Sequence, residues 1–228
     1  MFIQRIRIKF KYLVIQLSLI LFFSAGYSQE QPFADEIDQF RIIDSLNAPP
    51  TNAILFVGSS SFRMWTDIQD YFPDFTIINR GFGGSSLQDL IHYAGVVIFP
   101  YYPKQIVIYC GENDLAASDT VTGEMVAERF ISLFNLIRVK LPEVPVTYVS
   151  MKPSPSRWNL RGKMQEGNKK IRDFIGTQKN ADFVDVWDTM LEQDRQRPIP
   201  DIYQSDSLHL NEKGYIILKE EIEPHLVR

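Results

Sequence analysis

Hydrophobic residues in this chain fall into short unbroken runs, and between the runs apolar positions recur every three or four residues. The runs are Ala53–Val57, Phe75–Asn79, Gln105–Cys110, Val146–Ser150 and Asp182–Trp187. A continuous apolar run of that length predicts a strand buried on both faces, the habit of parallel sheets. Between the runs, Leu87, Leu90 and Ile91 mark one helix. Val126, Phe130, Leu133, Phe134, Ile137 and Leu141 mark a second, over about Thr122–Lys140. A third is expected near Met164–Gln178, and Asn211 is placed to cap a fourth that runs to about Ile222. Strands alternating with helices predict one α/β domain, a parallel sheet covered on both faces. Ahead of it, Phe33, Ile37, Phe40 and Ile43 or Asp44 form one stripe. That stripe predicts a short amphipathic helix docking on the domain, closed by Ala48-Pro49-Pro50. Residues 29–52 thus read as a lead-in helix and linker, and 53–228 as the domain. The polar, proline-bearing segment Thr189–Ser205 reads as loop with room for one helical turn.

The first 28 residues read differently. Arg5, Arg7, Lys9 and Lys11 precede a twelve-residue apolar run, Tyr12–Phe23, and Ser24-Ala25-Gly26-Tyr27-Ser28 supplies small residues. That order is the pattern of a secretory signal, cleaved near Ser28–Gln29, and the run is too short to span a bilayer comfortably. An exported protein with no stable membrane anchor after cleavage is the expectation. Cleavage would move the formal charge from −4 to −8, because the leader carries four basic residues and no acidic one. An acidic chain without basic runs argues against a nucleic-acid partner. Cys110 is the only cysteine, so no intrachain disulfide can form, and its place at the end of an apolar run suits a buried, inert thiol.

Chemistry is concentrated at the ends of the predicted strands, the edge where open α/β sheets bind their ligands. After the first strand comes Gly58-Ser59-Ser60-Ser61, where a serine is either a helix cap or a nucleophile. The second is followed by Gly81-Phe82-Gly83-Gly84-Ser85-Ser86. Three glycines in four residues imply close backbone approach or positive φ, but the spacing is not that of a dinucleotide fingerprint. Ser86 with Asp89 three residues on reads as a capping box. The third strand stops at Gly111-Glu112-Asn113-Asp114, with Asp114 read as a loop tie. Of three histidines, His92 falls within a helix and His225 near the end. His209 instead stands in a loop, three residues after Asp206, so one turn can bring that carboxylate to the imidazole.

These blocks in this order resemble the SGNH (GDSL-type) hydrolases over roughly Ile54–Tyr215, and in particular the branch related to platelet-activating-factor acetylhydrolase. The first block is usually Gly-Asp-Ser; here Ser59 stands where the family has aspartate. The resemblance implies a flavodoxin-like three-layer α/β/α sandwich with five parallel strands in the order 2-1-3-4-5. It also implies a serine esterase or acylhydrolase with no metal and no organic cofactor. Matched motif by motif, it implies Ser60 as nucleophile, His209 as base and Asp206 as its orienting acid. The N–H of Ser60, the N–H of Gly84 and the amide of Asn113 would form the oxyanion hole. Arg63, Trp65, Arg80 and Trp158 are weaker candidates for lining the acyl or alcohol pocket, each with a packing or surface role as the alternative. The expected substrate is a small-molecule, glycan or lipid ester carrying a short acyl group, such as acetyl. Two readings compete: a non-catalytic carbohydrate- or anion-binding domain of the same fold, and a flavodoxin-like flavin or nucleotide binder.

Overall fold

The computed structural model describes residues 32–228; the signal-sequence expectation for residues 1–28 lies outside the described residues. Five strands form one parallel sheet: β1 (Ile54–Gly58), β2 (Ile77–Gly81), β3 (Gln105–Tyr109), β4 (Val146–Val149) and β5 (Ala181–Val184), in the spatial order 2-1-3-4-5. Every residue of β1, β3 and β4 is buried, as their unbroken apolar runs require. The edge strands β2 and β5 are only partly buried, and they are the runs that carry asparagine, arginine or aspartate. Parallel registry of β1 with both β2 and β3 brings Gly58, Gly81 and Tyr109 to one level. The loops that follow these three strands therefore open on the same edge.

Strand alternation splits the core in two. On one face Ile54, Phe56, Val107 and Tyr109 pack with Phe62, Trp65 and Phe72, and with Tyr215, Leu218 and Ile222 of the last helix, α8 (Glu212–Ile222). On the other, α4 (Leu87–Val97), α6 (Gly123–Lys140) and α7 (Arg161–Ile175) pack together, with Phe130 of α6 4.7 Å from Tyr148 of β4, ring centre to centre. The remaining helices are α1 (Ala34–Leu46), two single turns α2 (Ser60–Arg63) and α3 (Ile68–Tyr71), and α5 (Glu112–Ala116). The expected caps are present: Asn211 accepts the N–H of Gly214, and Ser86 with Asp89 forms a reciprocal capping box. The Thr189–Ser205 segment contains a short 3₁₀ turn at Pro200–Ile202 and the end of another, Asp188–Met190.

The lead-in helix docks less through apolar contact than its stripe suggests. Ile37 is buried, but Ile43 is exposed, and Asp44 takes the inward position beside it. Asp44 pairs with Arg80 of β2 and accepts the Tyr101 hydroxyl at 2.6 Å; one turn earlier in the helix, the Arg80 guanidinium lies 5.1 Å over Phe40. Near the helix start Glu36 pairs with Arg63 at 2.6 Å and accepts the N–H of Gly83 at 3.1 Å. Carboxylates, together with the buried Ile37, hold this helix against β2 and the glycine loop.

Candidate active site

The first strand delivers Ser60 through a turn only glycine can make. Gly58 has φ +152°, and a Cβ built on it would lie 2.0 Å from the Tyr109 carbonyl oxygen on β3. Ser59 then caps α2 from an extended backbone, its N–H donating to that same carbonyl at 3.0 Å. A four-residue helix has no stability of its own. Packing supplies it: Phe62 is fully buried 5.1 Å from Phe56, and Trp65 stacks on Tyr215 at 4.8 Å. The Tyr215 hydroxyl also donates to the Ser61 carbonyl at 2.9 Å. Ser59 and Ser61 have buried side chains, whereas Ser60 is half-buried with its hydroxyl towards His209.

His209 comes from the far side of the molecule in sequence, on a loop pinned at its base. Tyr203 and Leu210 form an isolated antiparallel bridge, and the His209 carbonyl accepts the N–H of Gln204 at 2.7 Å. Asn211 adds side-chain bonds to the carbonyls of Asp201 and Tyr203. Within the loop Ser207 takes a left-handed φ of 56°, which folds Asp206 back towards the ring. Asp206 Oδ1 accepts the N–H groups of Leu208 and His209, both at 2.9 Å, and Oδ2 lies 2.5 Å from His209 Nδ1. The hydrogen bond to the His209 ring, reinforced by these backbone donors, holds the Asp206 carboxyl down at about 2. On the opposite ring edge, Nε2 lies 3.0 Å from Ser60 Oγ. The structure thus joins Ser60, His209 and Asp206 in one hydrogen-bonded chain.

Two further loops open on the same edge of the sheet as Ser60. Gly84 is exposed and has φ +73°, a left-handed conformation, with open space where a Cβ would stand. Neither the Ser60 nor the Gly84 N–H donates to a protein acceptor among the described residues. Asn113, in α5, donates from Nδ2 to the Ser85 carbonyl at 3.0 Å and accepts from Arg157 Nη2 at Oδ1, 2.8 Å away. An amide nitrogen carries two hydrogens, so one remains for a ligand. Asp114 is turned away from the site: it accepts the Leu87 N–H and pairs with Arg129 at 2.8 Å, a tie between loops. Cys110 is buried, and burial pushes its thiol well up, away from nucleophilic use.

The weaker pocket candidates lie in different surroundings, and Arg63 lines a surface pocket with Phe40, Asn79 and Gly81. Trp65 is wholly buried in the aromatic cluster under α2 and lines no cleft. Arg80 is consumed by Asp44, Tyr101 and Phe40. Arg63 turns to Glu36. Trp158 is half-buried and stacks on Trp187 at 6.2 Å, with the Arg161 guanidinium over its ring at 5.3 Å. The segment 152–157, between β4 and α7, carries Pro153 and Pro155. It contributes Arg157, against Asn113, and the fully buried Lys152, paired with Glu112 at 3.2 Å.

Comparison with known proteins follows the same lines. No curated protein matches the chain. Among solved structures, a candidate platelet activating factor from Streptococcus pneumoniae superposes with a TM-score of 0.73 at 19% identity, covering 95% of this chain and 99% of its own. A GDSL-like lipase from Bacteroides thetaiotaomicron gives 0.71 at 20% identity, over 83% of this chain and 96% of its own. An acetyl xylan esterase from Geobacillus stearothermophilus gives 0.61 at 15% identity, over 78% and 97%. These likenesses speak for the fold. Residues 44–217 match the model of the GDSL-like lipase/acylhydrolase family, and the chain belongs to that family of ester hydrolases.

Proposed function

We propose that this protein is an exported serine esterase that removes a short acyl group, such as acetyl, from a sugar or lipid. The observation that carries the reading is the hydrogen-bonded chain from Ser60 Oγ through His209 to Asp206, at 3.0 and 2.5 Å. A serine hydroxyl is a poor nucleophile at neutral pH and needs a base within hydrogen-bond reach. In this arrangement His209 Nε2 takes the Ser60 proton as Oγ attacks the ester carbonyl. Asp206 holds Nδ1–H and so keeps Nε2 free to accept, then stabilises the imidazolium that forms. The developing oxyanion is met by the N–H groups of Ser60 and Gly84 and the free hydrogen of Asn113 Nδ2. Collapse expels the alcohol, which takes the proton back from Nε2. A water deprotonated by His209 Nε2 then attacks the acyl-serine; the ester bond to Ser60 breaks, Nε2 returns the proton to Ser60 Oγ, and the carboxylic acid is released.

The short-acyl preference is supported by how open the dyad is: the Asp206 side chain is 45% exposed and that of His209 22%. The acetyl xylan esterase among the structural neighbours supports an acetylated sugar as the first substrate to try. Export is supported by the basic–apolar–small order of residues 1–28. The test is turnover of p-nitrophenyl acetate and of a panel of acetylated sugars against long-chain lipid esters. Ser60→Ala should abolish turnover with the fold intact, while Ser59→Ala and Ser61→Ala should retain it. Loss of activity in either neighbour with Ser60→Ala active would overturn the assignment.

A further inference from the structure

One polar cluster behind the oxyanion loop takes no direct part in moving the serine proton. Glu112 precedes Asn113 in α5 and is 6% exposed. Its Oε1 accepts the Lys152 backbone N–H at 2.9 Å and the Tyr109 hydroxyl; its Oε2 accepts Lys152 Nζ at 3.2 Å. Arg157 reaches the same carboxylate with Nη1, 3.7 Å from Oε2, while its Nη2 donates to Asn113 Oδ1 at 2.8 Å. The planar guanidinium therefore bridges a buried anion and the amide next to it, a fork a lysine cannot reproduce. Asn113 is held at both ends, Oδ1 by Arg157 and Nδ2 by the Ser85 carbonyl. The segment that carries Arg157 is itself fixed to the opposite side of the site. Ser156 N–H donates to the Ser207 carbonyl at 3.1 Å, inside the loop of Asp206 and His209, and the Tyr203 hydroxyl donates to the Pro153 carbonyl.

We propose that Arg157 is a positioning residue for the oxyanion hole, fixing the Asn113 amide with its second Nδ2 hydrogen towards the reacting carbonyl. The inference rests on Asn113 acting as an oxyanion donor. Preorganisation matters because a donor that must reorient during the reaction loses most of its advantage. A cation on Oδ1 also draws electron density from the amide, which strengthens Nδ2–H as a donor to developing negative charge. Because that charge exists only in the transition state, Arg157 should act on kcat and leave KM alone. Glu112 and Lys152 anchor the guanidinium and do not touch substrate.

The test is steady-state kinetics on p-nitrophenyl acetate for Arg157→Met, Arg157→Lys, Asn113→Ala and the Arg157→Met/Asn113→Ala double variant, with Ser60→Ala alongside. Arg157→Met should lower kcat about tenfold or more with KM within about twofold, and Arg157→Lys should recover only part of the loss. The double variant should be no slower than Asn113→Ala alone, since Arg157 has nothing left to orient. The acidic limb of the pH profile should be unmoved, because the His209 contacts are untouched. Full multiplication of the two effects, an unchanged kcat in Arg157→Met, or a loss confined to KM would each overturn the proposal. If Arg157→Met fails to fold, Arg157→Lys decides: it must lower kcat in wild type and have no effect on top of Asn113→Ala. If Ser60→Ala keeps full turnover, the esterase reading itself falls and takes this one with it. A dead Ser60→Ala beside a fully active Arg157→Met refutes the Arg157 proposal alone.

Discussion

Lys152→Met removes the cation from the most enclosed ion pair of the described residues. Lys152 is 1% exposed and Glu112 6%, so the surviving carboxylate is largely cut off from bulk water. Removing one member of a buried pair costs about 3–5 kcal/mol, against almost nothing for an exposed one. Three partners remain on Glu112: the Tyr109 hydroxyl, the backbone N–H at position 152, and Arg157 at 3.7 Å. They place the expected loss at the low end, about 3 kcal/mol, or a Tm drop of about 10 °C for a chain of this length. The pH dependence makes the prediction specific. Burial alone would push the Glu112 carboxyl up, but Lys152 first, then Arg157 and the Tyr109 hydroxyl, hold it below its ordinary value. A depressed carboxyl contributes stability that is present above its unfolded value of about 4.3 and is lost as pH falls through the folded one. Without Lys152, burial dominates and the carboxyl rises above the unfolded value; its penalty is then present at neutral pH and relieved on acidification. The gap between the two proteins should be widest near pH 7 and should shrink from both sides towards pH 4. Urea denaturation of both at the two pH values measures it. Lys152→Met/Glu112→Gln should regain most of the loss, since no bare charge is left. A loss under about 1 kcal/mol at pH 7, or parallel pH curves, would refute the view that this pair is electrostatically tight.

Three other outcomes are expected. Ser60→Ala, His209→Ala and the double variant should be about equally slow, because one proton transfer needs both groups; a double variant far slower than either single one would dissolve the unit. Asp206→Asn should impair turnover at every pH. In the wild type, acid loss of activity should set in far above pH 2, because the Asp206 carboxyl is held at about 2 and stays ionised throughout; a pH–rate limb that persists in His209→Ala would contradict this. Gly58→Ala should destabilise by more than the ~1 kcal/mol of an ordinary glycine substitution, since its Cβ would lie 2.0 Å from a backbone oxygen at positive φ; thermal melting within 2–3 °C of wild type would show that the turn relaxes freely.

What the sequence disclosed and what it hid follow from how far apart interacting residues lie along the chain. β1, β3 and β4 were legible because burial on both faces leaves an unbroken apolar run, and their order followed from the resemblance to a family. The Asp206–His209 contact was legible because it closes within three residues through one left-handed turn at Ser207. Ser60 was separable from its two neighbours only through the register of the resemblance to Gly-Asp-Ser; in the structure it is the half-buried one of the three, with Ser59 and Ser61 buried. For Arg80 and Trp65, left open between pocket and packing roles, the deciding partners are distant in sequence. Arg80 adjoins the glycine loop and Trp65 the serine motif, yet the partner of Arg80 lies 36 residues upstream in α1, and Trp65 stacks on Tyr215 in the last helix. Lys152 shows the limit most clearly. A lysine at the end of a strand reads as solvated, because burying an unpaired ammonium is prohibitive. It becomes burial-compatible only through Glu112, 40 residues away and delivered by a different strand. The same separation gives this pair its use. A contact between the loops after β3 and β4 fixes one against the other, and Arg157 carries that constraint to Asn113 while its neighbour Ser156 carries it to the loop of His209. The residues hardest to read one at a time are thus the ones that register the separately encoded halves of the site against each other.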